Sequence, residues 1–287
     1  MELFISQLVN GVGASARLFL VAIGLVIIFG MLDVVNMAHG EFIMLGAYCA
    51  CICVTKWHIP FGITLLISFL FAGVMGVLLE RLLIRKLYGK VAETLLATFA
   101  LTYVFPEIIR GIFGPENQNM EVPIKGSLSF GKITVPNYNL FLVGMAFLAL
   151  GVTMLLFYRT KFGMQLRAIT QNRQMSQCLG INSGRIDKLT FAYGCGLGGL
   201  AGALVAPVAS VTPDMGTEYV VDSFLVVILG GLNSVMGSLF GSVVIEESIA
   251  AMSTGMSLVT AKLLVFLVLI LLIRFRPQGL FAPKDRR

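Results

Sequence analysis

Long apolar runs alternate with short polar connections along the whole chain. A run of about 20 apolar residues is long enough to cross the hydrocarbon core of a bilayer as a helix. The pattern therefore predicts an all-α polytopic membrane protein of about eight or nine transmembrane helices, in a single domain over residues 1–287. The predicted spans are Leu18–Gly30 with a weaker N-terminal extension, Gly40–Val54, Phe61–Leu79, Val91–Phe113, Leu140–Tyr158, Leu189–Val211, Phe224–Ile245 and Ala261–Ile273.

The composition agrees with membrane insertion. Of 287 residues, 57% are hydrophobic and 13% are charged, whereas soluble domains carry about 25% charged residues. A soluble core of this size has no room for so much apolar surface, so the bilayer must serve as the solvent.

The positive charge is concentrated in three short hydrophilic segments, which hold 15 of the 21 basic residues. The positive-inside rule makes these segments cytoplasmic, and it excludes a nucleic-acid-binding surface. Residues 159–188 become a cytoplasmic loop, 274–287 a cytoplasmic tail, and 114–139 an external loop with a small hairpin. The clustered residues are Arg81, Arg85, Lys86 and Lys90; Arg159, Lys161, Arg167, Arg173, Arg185 and Lys188; and Arg274, Arg276, Lys284, Arg286 and Arg287.

Two hydrophobic segments are interrupted. Met31–Gly40 separates the first two apolar runs, and Gly230-Gly231 lies inside V-V-I-L-G-G-L-N-S-V-M-G. An odd number of crossings must lie between Asp222 and Arg274, yet only about two apolar segments lie there, so a discontinuous or re-entrant helix is expected. Interrupted segments at corresponding positions in two halves predict an inverted repeat around a transport path.

The segment V-N-M-A-H-G-E-F follows the first interruption and places Asn36, His39 and Glu41 in an apolar region. Ionisable groups at membrane depth cost about 2.5–3.5 kcal/mol on insertion scales, and they therefore face a bundle interior, a wet cavity or an interface. We expect these residues to line the path. The alternative is that His39 and Glu41 cap a helix near the membrane surface.

Other polar residues also lie beside the predicted spans. Glu93 and Thr94, at the start of another span, and Asp222 and Asn233, which flank the Gly-Gly break, are further pathway candidates. Glu107 and Arg110 have the i,i+3 spacing of an ordinary ion pair.

The cytoplasmic loop has a different character. It contains a predicted amphipathic helix from Gln165 to about Gln177, followed by Leu179-Gly180-Ile181, which exposes apolar side chains beside a flexible glycine. Such a helix has a suitable shape to dock in a groove of a soluble partner. The alternative is a helix that lies on lipid headgroups.

No catalytic group of residues is visible. His39 and His58 are far apart, and no G-x-x-x-x-G-K-[ST] motif is present. The five cysteines form no C-x-x-C pair and are interpreted as small buried residues. We therefore expect a non-enzyme with no metal site and no cofactor in this chain, with ATP and Mg²⁺ bound by partner subunits if transport uses ATP.

Several segments resemble permeases of the branched-chain amino acid ABC importer family: N-M-A-H-G-E-F-I-M-L-G-A-Y (36–48) and T-P-D-M-G-T-E-Y-V-V-D-S-F-L-V-V-I-L-G-G (212–231). The segments E-T-L-L-A-T (93–98), F-G-P-E-N-Q (113–118), R-A-I-T-Q-N-R-Q-M-S-Q-C-L-G-I (167–181) and R-P-Q-G-L-F (276–281) resemble the urea ABC permeases within that family. The resemblance covers nearly the whole chain.

This resemblance implies a permease of the bacterial inner membrane that imports urea. The implied partners are a second permease subunit, two cytoplasmic ATPase subunits and an extracytoplasmic urea-binding protein, besides membrane lipid. The coupling helix that touches an ATPase would lie within 160–188, with Arg167, Asn172, Arg173, Cys178, Leu179, Gly180 and Ile181 as the implied contacts.

Two alternatives remain open. An importer of branched-chain amino acids needs a charge partner for the carboxylate or the ammonium group of its solute. A stand-alone urea channel needs no docking loop. Urea is neutral and rich in hydrogen-bonding groups, so amide, hydroxyl and carboxylate oxygens at the helix breaks suit it.

Overall fold

The computed structural model describes residues 2–130, 133–232 and 234–275, which form eleven α-helices and one two-stranded hairpin. The prediction of an all-α polytopic membrane protein is confirmed. The elements are α1 (Glu2–Leu32), α2 (His39–Cys51), α3 (Phe61–Leu82), α4 (Val91–Phe113), β1 (Ser127–Phe130), β2 (Ile133–Pro136), α5 (Asn137–Arg159), α6 (Lys161–Gln171), α7 (Arg173–Cys178), α8 (Ser183–Val205), α9 (Met215–Gly230), α10 (Val235–Met252) and α11 (Leu258–Phe275).

Within the described ranges, six helices are long and apolar enough to cross a membrane. They are Ser6–Leu32, Phe61–Lys86, Val91–Phe113, Asn137–Arg159, Ser183–Val205 and Val235–Met252. The shorter helices α2, α9 and α11 lie among them, and a single π-helical turn, Ile52–Lys56, extends α2. These nine helices correspond to the predicted apolar segments, with the sixth and seventh runs redistributed over α8, α9 and α10.

The two ends of the helix bundle are fixed by contacts between distant residues. At the basic end, which we define by Arg85, Arg159 and Arg173 and predict to be cytoplasmic, the Thr170 hydroxyl donates to Met31 O near the end of α1 (3.4 Å). At the opposite end, Thr254 is hydrogen-bonded to Gln7 near the start of α1. The helix α1 therefore runs toward the basic end.

The helix α8 runs the other way. Its first turn carries Asp187, which forms an ion pair with Arg173 at the basic end. The carbonyl of Leu204, in its last turn, accepts a hydrogen bond of 2.7 Å from the Tyr138 hydroxyl at the opposite end. The bundle is thus built around two buried, antiparallel spans, α1 and α8, with α3, α4 and α5 more exposed around them.

The odd number of crossings required near the C-terminus is accounted for. Gly231, with φ of +90°, separates α9 from α10. The predicted span Phe224–Ile245 is therefore two helices, and α9, α10 and α11 together make three passages between the loop before Met215 and Arg274. The predicted break at Gly230-Gly231 is confirmed.

The helices form an inverted repeat of two units, α1–α4 and α8–α11. The helix α3 packs along α8 as α10 packs along α1, and α2 lies against α8 as α9 lies against α1. The helix α4 contacts α2 as α11 contacts α9. Because α1 and α8 are antiparallel, the second unit is inverted across the membrane relative to the first.

The corresponding interruptions differ from the predicted pair. Residues 33–38 separate α1 from α2, and their counterpart is 206–214 between α8 and α9, whereas the Gly231 break corresponds to 57–60. The first part of the segment 206–214 was hidden because four of the six residues in 206–211 are Ala or Val, so the predicted run Leu189–Val211 extended across them.

The loop at the basic end also differs from its prediction. One amphipathic helix over Gln165–Gln177 is wrong: α6 and α7 are separated at Asn172, whose side-chain oxygen accepts from Met175 N (2.9 Å) and caps α7. The helix α8 begins earlier than predicted because Asn182 caps it through Arg185 N (3.1 Å). The hairpin predicted within 114–139 is confirmed, with β1 antiparallel to β2.

Candidate functional site

The first half-helix, α2, begins inside the bundle. Asp33, with φ of +54°, ends α1 in the left-handed region that commonly closes helices. The chain then turns back, so that the ring of His39, the first residue of α2, reaches Val21 in the middle of α1. Asn36, His39 and Glu41 are all buried, with at most 1% of each residue exposed.

These three side chains are poorly satisfied by the protein itself. His39 Nε2 lies 3.3 Å from Val21 O. Within the part of the chain that the structure describes, His39 Nδ1, both amide atoms of Asn36 and both carboxyl oxygens of Glu41 have no hydrogen-bond partner. None of the three caps α2, whose N-cap is Ala38 without a side-chain hydrogen bond. Buried polar atoms usually have partners, so this group has spare capacity for water or a solute.

The N-termini of the two half-helices meet beside this group. A Cβ added to Gly40 would overlap the carbonyl oxygen of Gly216, and a Cβ added to Gly216 would lie 2.8 Å from Glu41 Oε1. Only glycine allows α2 and α9 to approach this closely. The positive ends of two helix dipoles therefore flank the Glu41 carboxyl group. We call Asn36, His39, Glu41, Gly40 and Gly216 the central site.

The polar residues of α4 lie at different distances from the broken segment between α1 and α2. Thr98, rather than Thr94, holds the broken segment: its hydroxyl accepts from Met37 N (3.1 Å) and lies 3.3 Å from Val35 O. Thr94 is buried and donates to Leu87 O or Lys90 O. Glu93 is exposed and paired with Lys90 at 3.0 Å, away from the central site.

Asp222 lies in a second polar location, a cavity of about 160 Å³ lined by Arg17, Leu18, Val205, Tyr219, Asp222 and Glu246. Lys262 of α11 forms an ion pair with Asp222 at 2.8 Å. We call this the charged cavity. The predicted candidate Asn233 lies outside the described residues.

Arg17 and Glu246 were absent from the predicted site residues. Each is an isolated charge, or part of a pair, within an apolar run, and that signal was available in the sequence. The packing of α1 against α10, which brings the two residues together, could not be predicted from the sequence.

The predicted coupling residues form an exposed surface at the basic end. Asn172, Arg173, Cys178, Leu179 and Gly180 are exposed, and the exposed fraction of Leu179 is 76%. Ile181 and Arg167 are half-buried, and Arg167 donates to Phe157 O. We call Lys161–Ile181 the α6–α7 segment.

The α6–α7 segment is attached to the membrane helices. The Arg173 guanidinium pairs with Asp187 of α8 and stacks 5.4 Å from the centre of the Tyr88 ring. Burial raises the pKa of the Tyr88 hydroxyl well above its ordinary value, so this ring stays neutral. The segment is therefore joined to α8 and, through Thr170 and Met31, to α1.

The opposite end is also braced. The predicted Glu107–Arg110 ion pair is confirmed, and Arg110 pairs in addition with Asp214, which precedes α9. Gln118 of the external loop forms a backbone bridge with Val211. The external loop and the turn 206–214 therefore form one connected surface.

No group of three or more His, Cys, Asp or Glu residues within the described ranges is placed to hold a metal ion. The cysteines are all unpaired thiols.

Comparison with known proteins gives the family. The family model described as "Branched-chain amino acid transport system / permease component" matches residues 7–273. The permease protein BraD of a high-affinity branched-chain amino acid transport system in Pseudomonas aeruginosa is 25% identical over 296 residues, covering 97% of this chain and 96% of BraD. LivH of Escherichia coli K12 is 27% identical over 297 residues, covering 97% and 96%.

A probable branched-chain amino acid permease, LivH, of Methanocaldococcus jannaschii is 27% identical over 285 residues, covering 93% of this chain and 89% of LivH. No solved structure gives a significant match. The family and the spanning helices confirm a multi-pass protein of the bacterial cytoplasmic membrane. The inverted repeat, the helix interruptions and this match over nearly the whole chain establish that the protein belongs to the branched-chain amino acid ABC transport permeases.

Proposed function

We propose that this chain is one of two permease subunits in an ATP-driven importer and that the central site lies on its solute path. The observation that carries the proposal is the central site itself. Three buried polar side chains with unpartnered atoms lie where the N-termini of α2 and α9 meet. Discontinuous helices of this kind commonly bind solutes near the bilayer midplane, because free helix ends offer polar groups without a fixed partner.

The α6–α7 segment supplies the contact for the ATPase subunits. Leu179 and Met175 expose large apolar side chains at the basic end, and a helix with exposed apolar residues suits a groove of a soluble partner. When an ATPase subunit displaces this segment, the contacts of Arg173 with Asp187 and of Thr170 with Met31 transmit the displacement to α8 and to the end of α1. Residues 33–38 follow α1 directly and lead to the central site. ATP and Mg²⁺ bind in the partner chains.

The binding protein docks at the opposite end. The external loop and the turn 206–214 are held together through Arg110, Asp214 and the Gln118–Val211 bridge. Docking on this connected surface would affect α9, because Asp214 directly precedes that helix. The solute would be released from the binding protein toward this end and leave at the basic end.

Two solute classes are proposed for this path. A branched-chain amino acid comes first, because the relatives are named for that transport and because the charged cavity offers both signs of charge to a zwitterion. Urea comes second. It is supported by the similarity of residues 167–181 to urea permeases and by the neutral amide of Asn36, which suits an uncharged solute.

Uptake measurements on the complete complex test the proposal. The permease pair, ATPases and binding protein are reconstituted in vesicles, and uptake of labelled leucine and of labelled urea is measured with and without ATP. We expect ATP-dependent uptake of one solute, with the other failing to compete. ATP-independent urea uptake at channel rates by this chain alone would refute the importer.

A substitution in the same assay tests the coupling role. Leu179→Asp replaces an exposed apolar side chain at the docking surface with a charge, so we expect at least about a tenfold loss of uptake and of co-purified ATPase. Gln174→Asp is the control, because it adds the same charge to exposed α7 and leaves Leu179 in place. Equal behaviour of the two variants would remove Leu179 from the contact.

A further inference from the structure

The charged cavity is distinct from the central site and contains more charge. It brings together Arg17 of α1, Asp222 of α9 and Glu246 of α10, with Lys262 of α11 bonded to Asp222. Each of these helices is a membrane segment, and charged side chains at such depth are usually retained for a solute, an ion or a partner.

The charged cavity lies in the half of the membrane that is farther from the basic end. Glu246 precedes Met252, the last residue of α10, by six residues, or about 9 Å along the helix. Lys262 follows the first residue of α11 by four residues, or about 6 Å. On α10 and α11 the cavity therefore lies near the end proposed to receive the binding protein.

The lining is chemically divided. Arg17 provides N–H donors, and Asp222 and Glu246 provide acceptor oxygens, whereas Leu18 and Val205 provide an apolar wall. Arg17 Nε is buried with no hydrogen-bond partner among the described residues. The ion pair of Lys262 occupies Asp222 but leaves Arg17 and Glu246 facing the same space and attracting each other electrostatically.

The volume suits a small solute. The cavity of about 160 Å³ is roughly ten times the 10–15 Å³ required for one water molecule. An unpartnered guanidinium N–H and a carboxylate across a space of this size match a molecule that carries an acceptor oxygen at one end and N–H groups at the other.

We propose that the charged cavity is a solute-binding subsite of the permease, where Arg17 binds the solute's carbonyl or carboxylate oxygen and Glu246 accepts hydrogen bonds from its N–H groups. The inference rests on the proposed function. The same chemistry describes an amino acid, through its carboxylate and ammonium groups, and urea, through its carbonyl and amide groups.

Direct binding tests the subsite. The complete permease–ATPase complex is prepared without the binding protein, and the Kd for labelled leucine and for labelled urea is measured. We expect wild type to bind one of them, and Glu246→Gln to raise that Kd about tenfold, because a carboxylate accepts stronger hydrogen bonds than a neutral amide does. The solute that binds shows whether the subsite recognises an amino acid or urea.

Glu247→Gln is the matched control. Glu247 is the next residue on α10 and also has a buried carboxyl oxygen, but it lines a different cavity with Ser15 and Val143. We expect its Kd to stay within about twofold of wild type. If Glu246→Gln does not assemble, Arg17→Lys keeps the charge but loses the planar guanidinium fork, and we expect it to raise the Kd severalfold.

The outcomes separate the two proposals. ATP-driven uptake by the wild-type complex, with no binding in the absence of the binding protein or with a Kd unchanged by Glu246→Gln and Arg17→Lys, would overturn the subsite and leave the importer intact. Failure of wild-type uptake for both solutes would overturn the proposed function itself. A raised Kd in Glu246→Gln, with Glu247→Gln unaffected, supports the subsite.

Discussion

The two units of the inverted repeat share a helix arrangement but differ in what they enclose. In the first unit, a groove of about 310 Å³ between α2, α3 and α4 is lined by apolar residues such as Leu45, Ile52 and Phe113. Beside α9 and α10 of the second unit lies the charged cavity, which combines Asp222 and Glu246 of that unit with Arg17 of α1. The arrangement is repeated, and the chemistry is not.

This difference shows that helix packing and solute chemistry depend on separate residues. Packing depends on glycines such as Gly40 and Gly216, which let the half-helices touch, and on the antiparallel spans α1 and α8. The chemistry of the cavity depends on a few charged residues that the fold brings together beside α9 and α10 and not in the apolar groove. An apolar groove suits lipid or a neighbouring apolar helix, whereas a charged cavity at membrane depth requires a compensating ligand or ion pair.

The largest effect is expected where both units depend on the same contact. Gly40→Ala and Gly216→Ala should each prevent the half-helices from meeting, because the added Cβ would overlap backbone or the Glu41 carboxyl group. Overpacking of this kind costs roughly 1–3 kcal/mol or more, so we expect a lower melting temperature and a poor yield of the purified complex.

Gly144→Ala is the control for this pair. Gly144 lies on α5, and a Cβ there meets nothing within 4 Å, so the substitution should be neutral or stabilise the helix by up to about 1 kcal/mol. Normal stability of both Gly40→Ala and Gly216→Ala would show that the contact between units is not required.

A smaller effect is expected from polar residues of the first unit. Glu41→Gln keeps the size of the side chain but removes an ionisable group from the central site. We expect about a tenfold loss of uptake with normal membrane expression, because charge-assisted hydrogen bonds contribute about 1.5–3 kcal/mol. Glu93→Gln is the comparison: its exposed pair with Lys90 contributes at most about 1 kcal/mol, so uptake should be nearly unchanged. Equal uptake by the two variants would contradict a role for Glu41.

The smallest effect is expected in the apolar groove. Ile52→Val removes one methylene from the groove lining and should cost about 0.5–1.5 kcal/mol of stability. Uptake kinetics should stay within about twofold of wild type, because no polar contact is lost. A large change in the concentration dependence of uptake would mean that both units bind solute, and the comparison would fail.

Much of this molecule could be predicted from local sequence. The spans, the Gly230-Gly231 break, the hairpin and the Glu107–Arg110 pair follow from apolar length, turn residues and i,i+3 spacing, which are all short-range properties. The start of the interruption at 206–214 could not be predicted in this way, because four of the six residues in 206–211 are Ala or Val and continue the preceding apolar run. Asn172 was overlooked as a helix cap for a related reason: the amphipathic pattern continues across it.

The candidate site was only partly predictable. Asn36, His39 and Glu41 were visible as polar residues in an apolar region, and the structure buries all three. It does not bring Glu93 or Thr94 to them, because on α4 it is Thr98 that faces the broken segment. It places Asp222 in a separate cavity with Arg17 and Glu246, residues that sequence reasoning did not combine.

The sequence by itself determined that this chain lies in a membrane, which end is basic and where polar groups interrupt its spans. These properties depend on the transfer of each segment from water to lipid, which is nearly independent of the segment's neighbours. Only the tertiary structure decided that Gly40 meets Gly216 and that Arg17 faces Glu246. Contacts between residues far apart in the chain depend on how whole helices pack, and no local pattern encodes that arrangement.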